Sequence, residues 1–170
     1  LKHLHNKNIF SVKSIDIQKP LQKINFIEKV EVKKKYPDKI VIKVYETYPI
    51  GIINIKKEKF FIDSSYKLVS LNENINFKTL PNIFGEDIGE HFKHFYIMLQ
   101  NHNFPIKNIK NFYFFQSERW DVQFHNNKII KYPFIEVEEA IKKSIELINR
   151  DDFKNYSTID LRIHGKVVVE

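Results

Sequence analysis

From Val30 to Val44 the chain alternates apolar and charged residues about a Tyr36-Pro37-Asp38 turn, with Val30, Val32, Ile40, Ile42 and Val44 in phase. Successive side chains on a strand point to opposite faces, so a period of two excludes a helix here. The stretch is expected to fold as a hairpin with those five residues on its buried face and a lysine-studded face in water.

Ahead of the hairpin, Ser14 is placed to cap a short helix through Ile24, with Ile17, Leu21 and Ile24 on one face; Pro20 should kink or shorten it. Beyond it, Thr47-Tyr48-Pro49 breaks the alternation and marks the best domain boundary. Strands are expected at Ile50–Ile55, Lys59–Asp63 and Lys67–Leu71, then a loop over Leu80–Gly85. Ile88 to Asn101 reads as a helix with Phe92, Phe95, Tyr96 and Leu99 inward. Strands follow at Asn108–Gln116, Arg119–His125 and, after an Asn126-Asn127 turn, Lys128–Tyr132. A second amphipathic helix runs from Ile135 to Asn149, with Val137, Ile141, Ile145 and Ile148 inward. A terminal hairpin, Thr158–Ile163 and Lys166–Glu170, closes the chain. The fold class is α+β: a small αββ module, residues 1–47, then a mainly antiparallel β domain with two helices, residues 48–170. The second part should hold its own core from Ile62, Leu99, Phe112, Trp120, Val122, Ile145 and Leu161, with few contacts across the boundary.

The charge is uneven. Of 28 basic and 21 acidic residues among 170, residues 1–59 hold 14 and 6, so the surplus lies in the first third. Lysine dominates, with Arg119, Arg150 and Arg162 the only arginines. Base reading and bidentate phosphate recognition lean on arginine, so a nucleic-acid reader is a poor fit. An AT-rich genome accounts for much of the lysine, and attraction to an anionic surface such as a membrane is the functional reading. With no cysteine, disulfide scaffolds, cysteine-type zinc sites and cysteine nucleophiles are excluded.

The sequence offers no phosphate loop, dinucleotide fingerprint or nucleophile elbow. His91 and His94 sit one turn apart beside Glu90, but a third ligand is lacking and they read as a solvated helix face. Glu86/Asp87 and Glu136 answer helix N-terminal dipoles. The run Phe112-Tyr113-Phe114-Phe115 is nearly free of charge, which favours core packing over a base-stacking platform. The residues therefore point to no catalytic group, cofactor or metal, and to a non-enzymatic chain.

Several segments in order resemble one family. Val30-Glu31-Val32, Lys33-Lys34-Lys35, Pro37, Ile40, Ile42, Val44, Glu46 and Pro49 resemble the end of the POTRA module of the bacterial cell-division family FtsQ/DivIB. Ile62-Asp63, Leu80-Pro81 with Gly85, Ser117-Glu118-Arg119-Trp120 and Ile159-Asp160-Leu161-Arg162 are similar to later family segments, the last two to alphaproteobacterial members. Asn25-Phe26 departs from the family's Pro-Trp, Asn126-Asn127 from Asn-Gly and His164-Gly165 from Pro-Asp. The resemblance implies a partial POTRA domain lacking its first strand and most of its first helix. It further implies a single-pass inner-membrane protein, anchored by an upstream helix outside this sequence, with this portion in the periplasm at the septum. Its role would be a divisome scaffold recruiting FtsB and FtsL and helping to regulate septal peptidoglycan synthesis, with the septal synthase complex a further partner. The competing reading is a POTRA-bearing chaperone or secretion component that binds β-strands of client polypeptides.

A last strand has no successor to pair with, so Lys166–Glu170 is expected at a sheet edge. The β-branched run Val167-Val168-Val169 leaves Lys166 as its sole protection against strand addition. With the resemblance, this selects partner docking along Lys166, Val167, Val168 and Val169. Arg119 and Arg162 would hold an acidic partner side chain and Ile163 an aromatic one. The alternative is that Glu118 and Asp160 satisfy the two arginines internally.

Overall fold

The structure, a computed structural model, describes residues 8–55, 58–70 and 79–170. The helix α1, Ser14–Gln22, is followed by strands β1, Ile27–Lys35, and β2, Lys39–Glu46, which pair antiparallel as a sheet of their own. Lys13 rather than Ser14 occupies the N-cap, and its N–H donates to the Asp16 carboxylate at 3.4 Å. The helix stops at Gln22, two residues after Pro20, which leaves Ile24 exposed.

The hairpin face differs from expectation. Val30 is buried with Val12 and Ile17, and Val32 and Ile40 are half-buried, but Ile42 and Val44 are each 38% exposed. The reason is coverage: α1 packs on β1, and Gln18 Nε2 donates to the Val30 carbonyl at 3.1 Å, so β2 lies largely beyond the helix.

The remaining strands form one nine-stranded sheet. They are β3, Pro49–Ile55; β4, Glu58–Asp63; β5, Leu68–Ser70; β6, Asn82–Phe84; β7, Ile109–Phe114; β8, Trp120–Phe124; β9, Ile129–Lys131; β10, Thr158–Asp160; and β11, Val168–Val169. Their spatial order is β11-β10-β9-β8-β7-β6-β3-β4-β5. Three neighbours, β9/β10, β6/β7 and β3/β6, run parallel and the rest antiparallel, giving a mainly antiparallel α+β fold. The segment expected as a loop over residues 80–85 holds β6, three residues inserted in parallel between β3 and β7. Gly85, at φ +143°, permits that insertion, since a Cβ there would sit 2.7 Å from the Phe114 carbonyl oxygen.

Helices α2, Gly89–Asn101, and α3, Val137–Ile148, supply the core of this larger part. In register across the sheet, Ile53, Ile83, Phe112, Val122, Ile130, Ile159 and Val169 form a row on the face of that core. From α2 come Phe92, Phe95, Tyr96 and Leu99, and Trp120 stacks on Phe95 with ring centroids 5.1 Å apart. The buried residues of α3 are Ile141, Ser144 and Leu147, while Val137, Ile145 and Ile148 are half-buried at the edge of the core. The buried Tyr132 hydroxyl meets Ser144 Oγ at 2.9 Å, and Ser144 also donates to the Ile141 carbonyl.

The opposite sheet face carries a polar ladder. Asn82 donates to Asn111, and Asn111 donates to Gln123 at 2.7 Å and to the Tyr113 hydroxyl at 3.0 Å. Toward the hairpin that face turns apolar: Ile52 and Phe61 are cross-strand partners, both buried, and the Phe26 ring lies 6.0 Å from Phe61. Phe26, at the position of a family departure, has a left-handed backbone at φ 63°. Thr47 links the two sheets, its N–H donating to the Phe26 carbonyl and its hydroxyl to Asp63 at 2.8 Å. No helix among the described residues is long and apolar enough to cross a membrane.

Candidate partner-docking edge

β11 is the end strand of the nine-stranded sheet. It reaches β10 through a turn at residues 163–165 in which the Lys166 N–H donates to the Ile163 carbonyl and Gly165 takes φ +69°. Glu170 and Thr158 exchange both backbone hydrogen bonds. Because antiparallel pairs alternate, Val168/Asp160 is again a hydrogen-bonded pair and Val169/Ile159 is not. The backbone groups of Val169 therefore point away from β10, toward an edge with no partner strand among the described residues. The strand expected over Lys166–Glu170 is shorter: Lys166 and Val167 precede β11, because the turn after β10 takes up the chain as far as Val167. Val168 is 44% exposed, and Val169 packs its side chain against the core while turning its backbone outward.

Beside this edge lies a groove of about 770 Å³ between α3 and the terminal hairpin. Its lining brings together four of the residues picked from the sequence, Arg162, Ile163, Lys166 and Val167, with Phe134 and Ile135. Phe134, Ile135 and Ile163 are 56%, 70% and 54% exposed, an apolar surface with one open side. Ile135 was expected inside a helix; it stands before α3 because Glu136, at φ 61°, caps that helix with a left-handed backbone. The Glu136 carboxylate contacts His164 Nδ1, tying the approach to α3 to the terminal turn. Sequence reasoning missed this clasp and the Phe134-Ile135 wall. The signal for the wall was an apolar pair between Pro133 and an acidic helix start.

The two arginines differ. Arg162 is engaged within the chain, its Nε donating to both Asp160 oxygens at 2.9 Å. Those bonds hold the Asp160 carboxyl below the usual carboxylate range. Arg119 lies outside the groove lining, its guanidinium over the Phe115 ring at 4.6 Å. Its Nε is buried and has no hydrogen-bond partner among the described residues, and neither has Oδ1 of Asp121. Burial pushes the Asp121 carboxyl up, against the attraction of Arg119, Lys131 and Arg162. Of the sequence candidates, His91 rests its ring on Phe114 at 4.8 Å, and His94 lies 3.8 Å from Glu90 on the exposed helix face.

The helix and hairpin of residues 14–46 lead into an α+β sheet that, among the described residues, ends on β11. Residues 1–47 match the family model described as POTRA domain, FtsQ-type. The whole chain is similar to proteins named cell division protein FtsQ. It is 29% identical over 164 residues to those of Rickettsia felis and Rickettsia conorii, covering 95% of this chain and 61% of each relative. The FtsQ of Agrobacterium fabrum is 21% identical over 159 residues, covering 90% of this chain and 49% of that one. The resemblance to the FtsQ/DivIB family read from the sequence thus holds along nearly all of the chain, which spans about three fifths of the length of its Rickettsia relatives.

Proposed function

We propose that this chain is the periplasmic part of a non-enzymatic cell-division scaffold of FtsQ type, which recruits FtsB- and FtsL-like partners and so helps to regulate septal peptidoglycan synthesis. Its place would be the inner membrane at the septum, held by a single upstream helix. In this reading residues 1–47 are a POTRA-type unit and residues 48–170 the unit that docks partners. Support for the role comes from the similarity to FtsQ proteins over 95% of the chain.

One observation carries the docking reading: among the described residues β11 ends the sheet, with the backbone groups of Val169 turned outward. A partner segment adds there as a further strand, its main chain bonding to those groups. The adjoining groove takes a partner side chain against Ile163 and Phe134. A partner carboxylate would accept from the outer guanidinium N–H groups of Arg119, whose Nε is buried, and of Arg162, whose Nε Asp160 already holds.

Alternation also selects the variants. Val168→Pro attacks the pairing with β10, whereas Val169→Pro removes an outward donor, and Val167→Pro removes the N–H just before β11 that an added strand would engage. Titrating the FtsB periplasmic segment should show Val167→Pro and Val169→Pro binding roughly five- to tenfold more weakly, about one hydrogen bond and its distortion. Unchanged affinity in both folded variants would remove strand addition from the mechanism.

A further inference from the structure

We propose that the tip and lysine face of the β1–β2 hairpin form a docking site for the anionic headgroups of a phospholipid bilayer. Phe10 and Tyr36 are 69% and 59% exposed, yet their rings stack on each other with centroids 4.9 Å apart and planes 17° from parallel. Two large rings stacked together in water leave their outer surfaces unused. Tyr36 directly follows Lys35, and Lys35 stands opposite Lys39 across the strands. Like charges directly opposite destabilise a hairpin, so this pair works against the local fold. Lys33 lies on the same face opposite Val41, which is 42% exposed.

The neighbouring charges do not neutralise the patch. Glu31 is taken by Lys29 at 2.7 Å, and Lys43 lies over the Tyr45 ring at 4.6 Å. Lys33, Lys35 and Lys39, on this face, have no ion pair among the described residues, and Asp38 is the single carboxylate in their turn.

Charge and ring chemistry together select the occupant. Aromatic rings settle at the bilayer interface, and long lysine stems let the rings enter while the ammonium groups stay among the phosphates. Weak interfacial binding becomes firm when apolar insertion is joined to a basic cluster. A nucleic acid fits less well: the patch has no arginine, and the two rings face each other, leaving no gap between them for a base. This site is separate from β11, so it stands whether or not a partner strand docks there.

The test is sedimentation of the whole 170-residue chain with vesicles of pure phosphatidylcholine and with vesicles containing phosphatidylglycerol. Binding is expected to the anionic vesicles alone and to weaken with added salt. A lysine near such a surface changes binding about fivefold, so Lys35→Gln with Lys39→Gln should weaken it about 25-fold. The same double variant should melt no lower than the parent, because it relieves a like-charge pair. In a Tyr36→Trp variant, anionic vesicles should shift the new indole emission to the blue. Equal binding to both vesicle types, or unchanged binding by the double lysine variant, would overturn the proposal. So would an oligonucleotide that binds at a salt concentration where anionic vesicles do not.

Discussion

At the scale of single residues, the polar groups inside the sheet decide more than the apolar ones. Ser144 on α3 is fully buried because the buried Tyr132 hydroxyl requires a partner. Ser144→Ala should cost about 1–3 kcal/mol, since it strands that hydroxyl, whereas adding Tyr132→Phe should recover part of the loss. Denaturant titration of the two single variants and the double variant measures this, and strictly additive losses would show no coupling. Asp121 and Asp160 should respond to pH in opposite senses. Burial raises the Asp121 pKa above its unfolded value, so its charged form weakens the fold above the raised pKa and the weakening fades as pH falls through it. Asp121→Asn should therefore melt higher than the parent at neutral pH and lose that advantage in acid. Arg162 lowers the Asp160 pKa, a stabilisation present above the unfolded value and lost as pH falls through the folded one. Asp160→Asn should melt lower at neutral pH and converge with the parent in acid. Melting curves across the carboxylate range check both, and a lower neutral melting point for Asp121→Asn would mean that its cationic neighbours outweigh burial.

At the scale of elements, what could be read from the chain depended on length and on who covers each face. The helix α2 shows its face plainly, because four aromatic or leucine residues at helical spacing meet one sheet and all four are buried. In α3 the apolar stripe is legible, but the buried line runs through Ser144 and Leu147, since Tyr132 stands opposite with a hydroxyl that needs a partner. The strand β6 is too short to carry a period and borrows its hydrogen bonds from β3 and β7, partners far away in sequence. Alternation set the register of the β1–β2 hairpin but could not say that α1 covers β1 more than β2. That difference makes a direct contrast. Ile17→Ala, at a site 2% exposed, should cost about 2–5 kcal/mol, and Ile42→Thr, at 38% exposed, should stay within about 0.5 kcal/mol. Similar losses in both variants under chemical denaturation would mean that something covers β2 in solution. At the candidate site, the β-branched run Val167-Val168-Val169 and its antiparallel return along Thr158–Ile163 were legible because His164-Gly165 marks a turn between two apolar runs. The groove was not, since its walls come from residues 133–143 and 161–167 and meet only through the fold.

At the scale of the whole molecule, the hairpin module and the large sheet meet over a small apolar contact. Phe61 is fully buried and Ile52 is 5% exposed, yet neither belongs to the cluster beneath α2 and α3. Phe26 lies against Phe61, and the Thr47 hydroxyl donates to Asp63, which in turn accepts the N–H groups of Ser65 and Lys67. Asp63 thereby orders the turn after β4 as well as the link to Thr47. If residues 48–170 are a unit with their own core, a fragment of that span should keep Trp120 buried, because its ring partners Phe92, Phe95, Phe112 and Phe114 all remain present. Its weakness should lie on the other face. Exposing a large apolar side chain forfeits about 1.5–3 kcal/mol, so uncovering Phe61 and Ile52 should lower the fragment's melting point by roughly 10–25 °C. The fragment should also bind an apolar dye that the intact chain does not, and Phe61→Ser within it should reduce that binding while leaving the Trp120 emission blue. Red-shifted Trp120 emission in the unsubstituted fragment would instead mean that the larger sheet needs the hairpin in order to fold, and that the boundary at residue 47 separates two sheets of one cooperative unit.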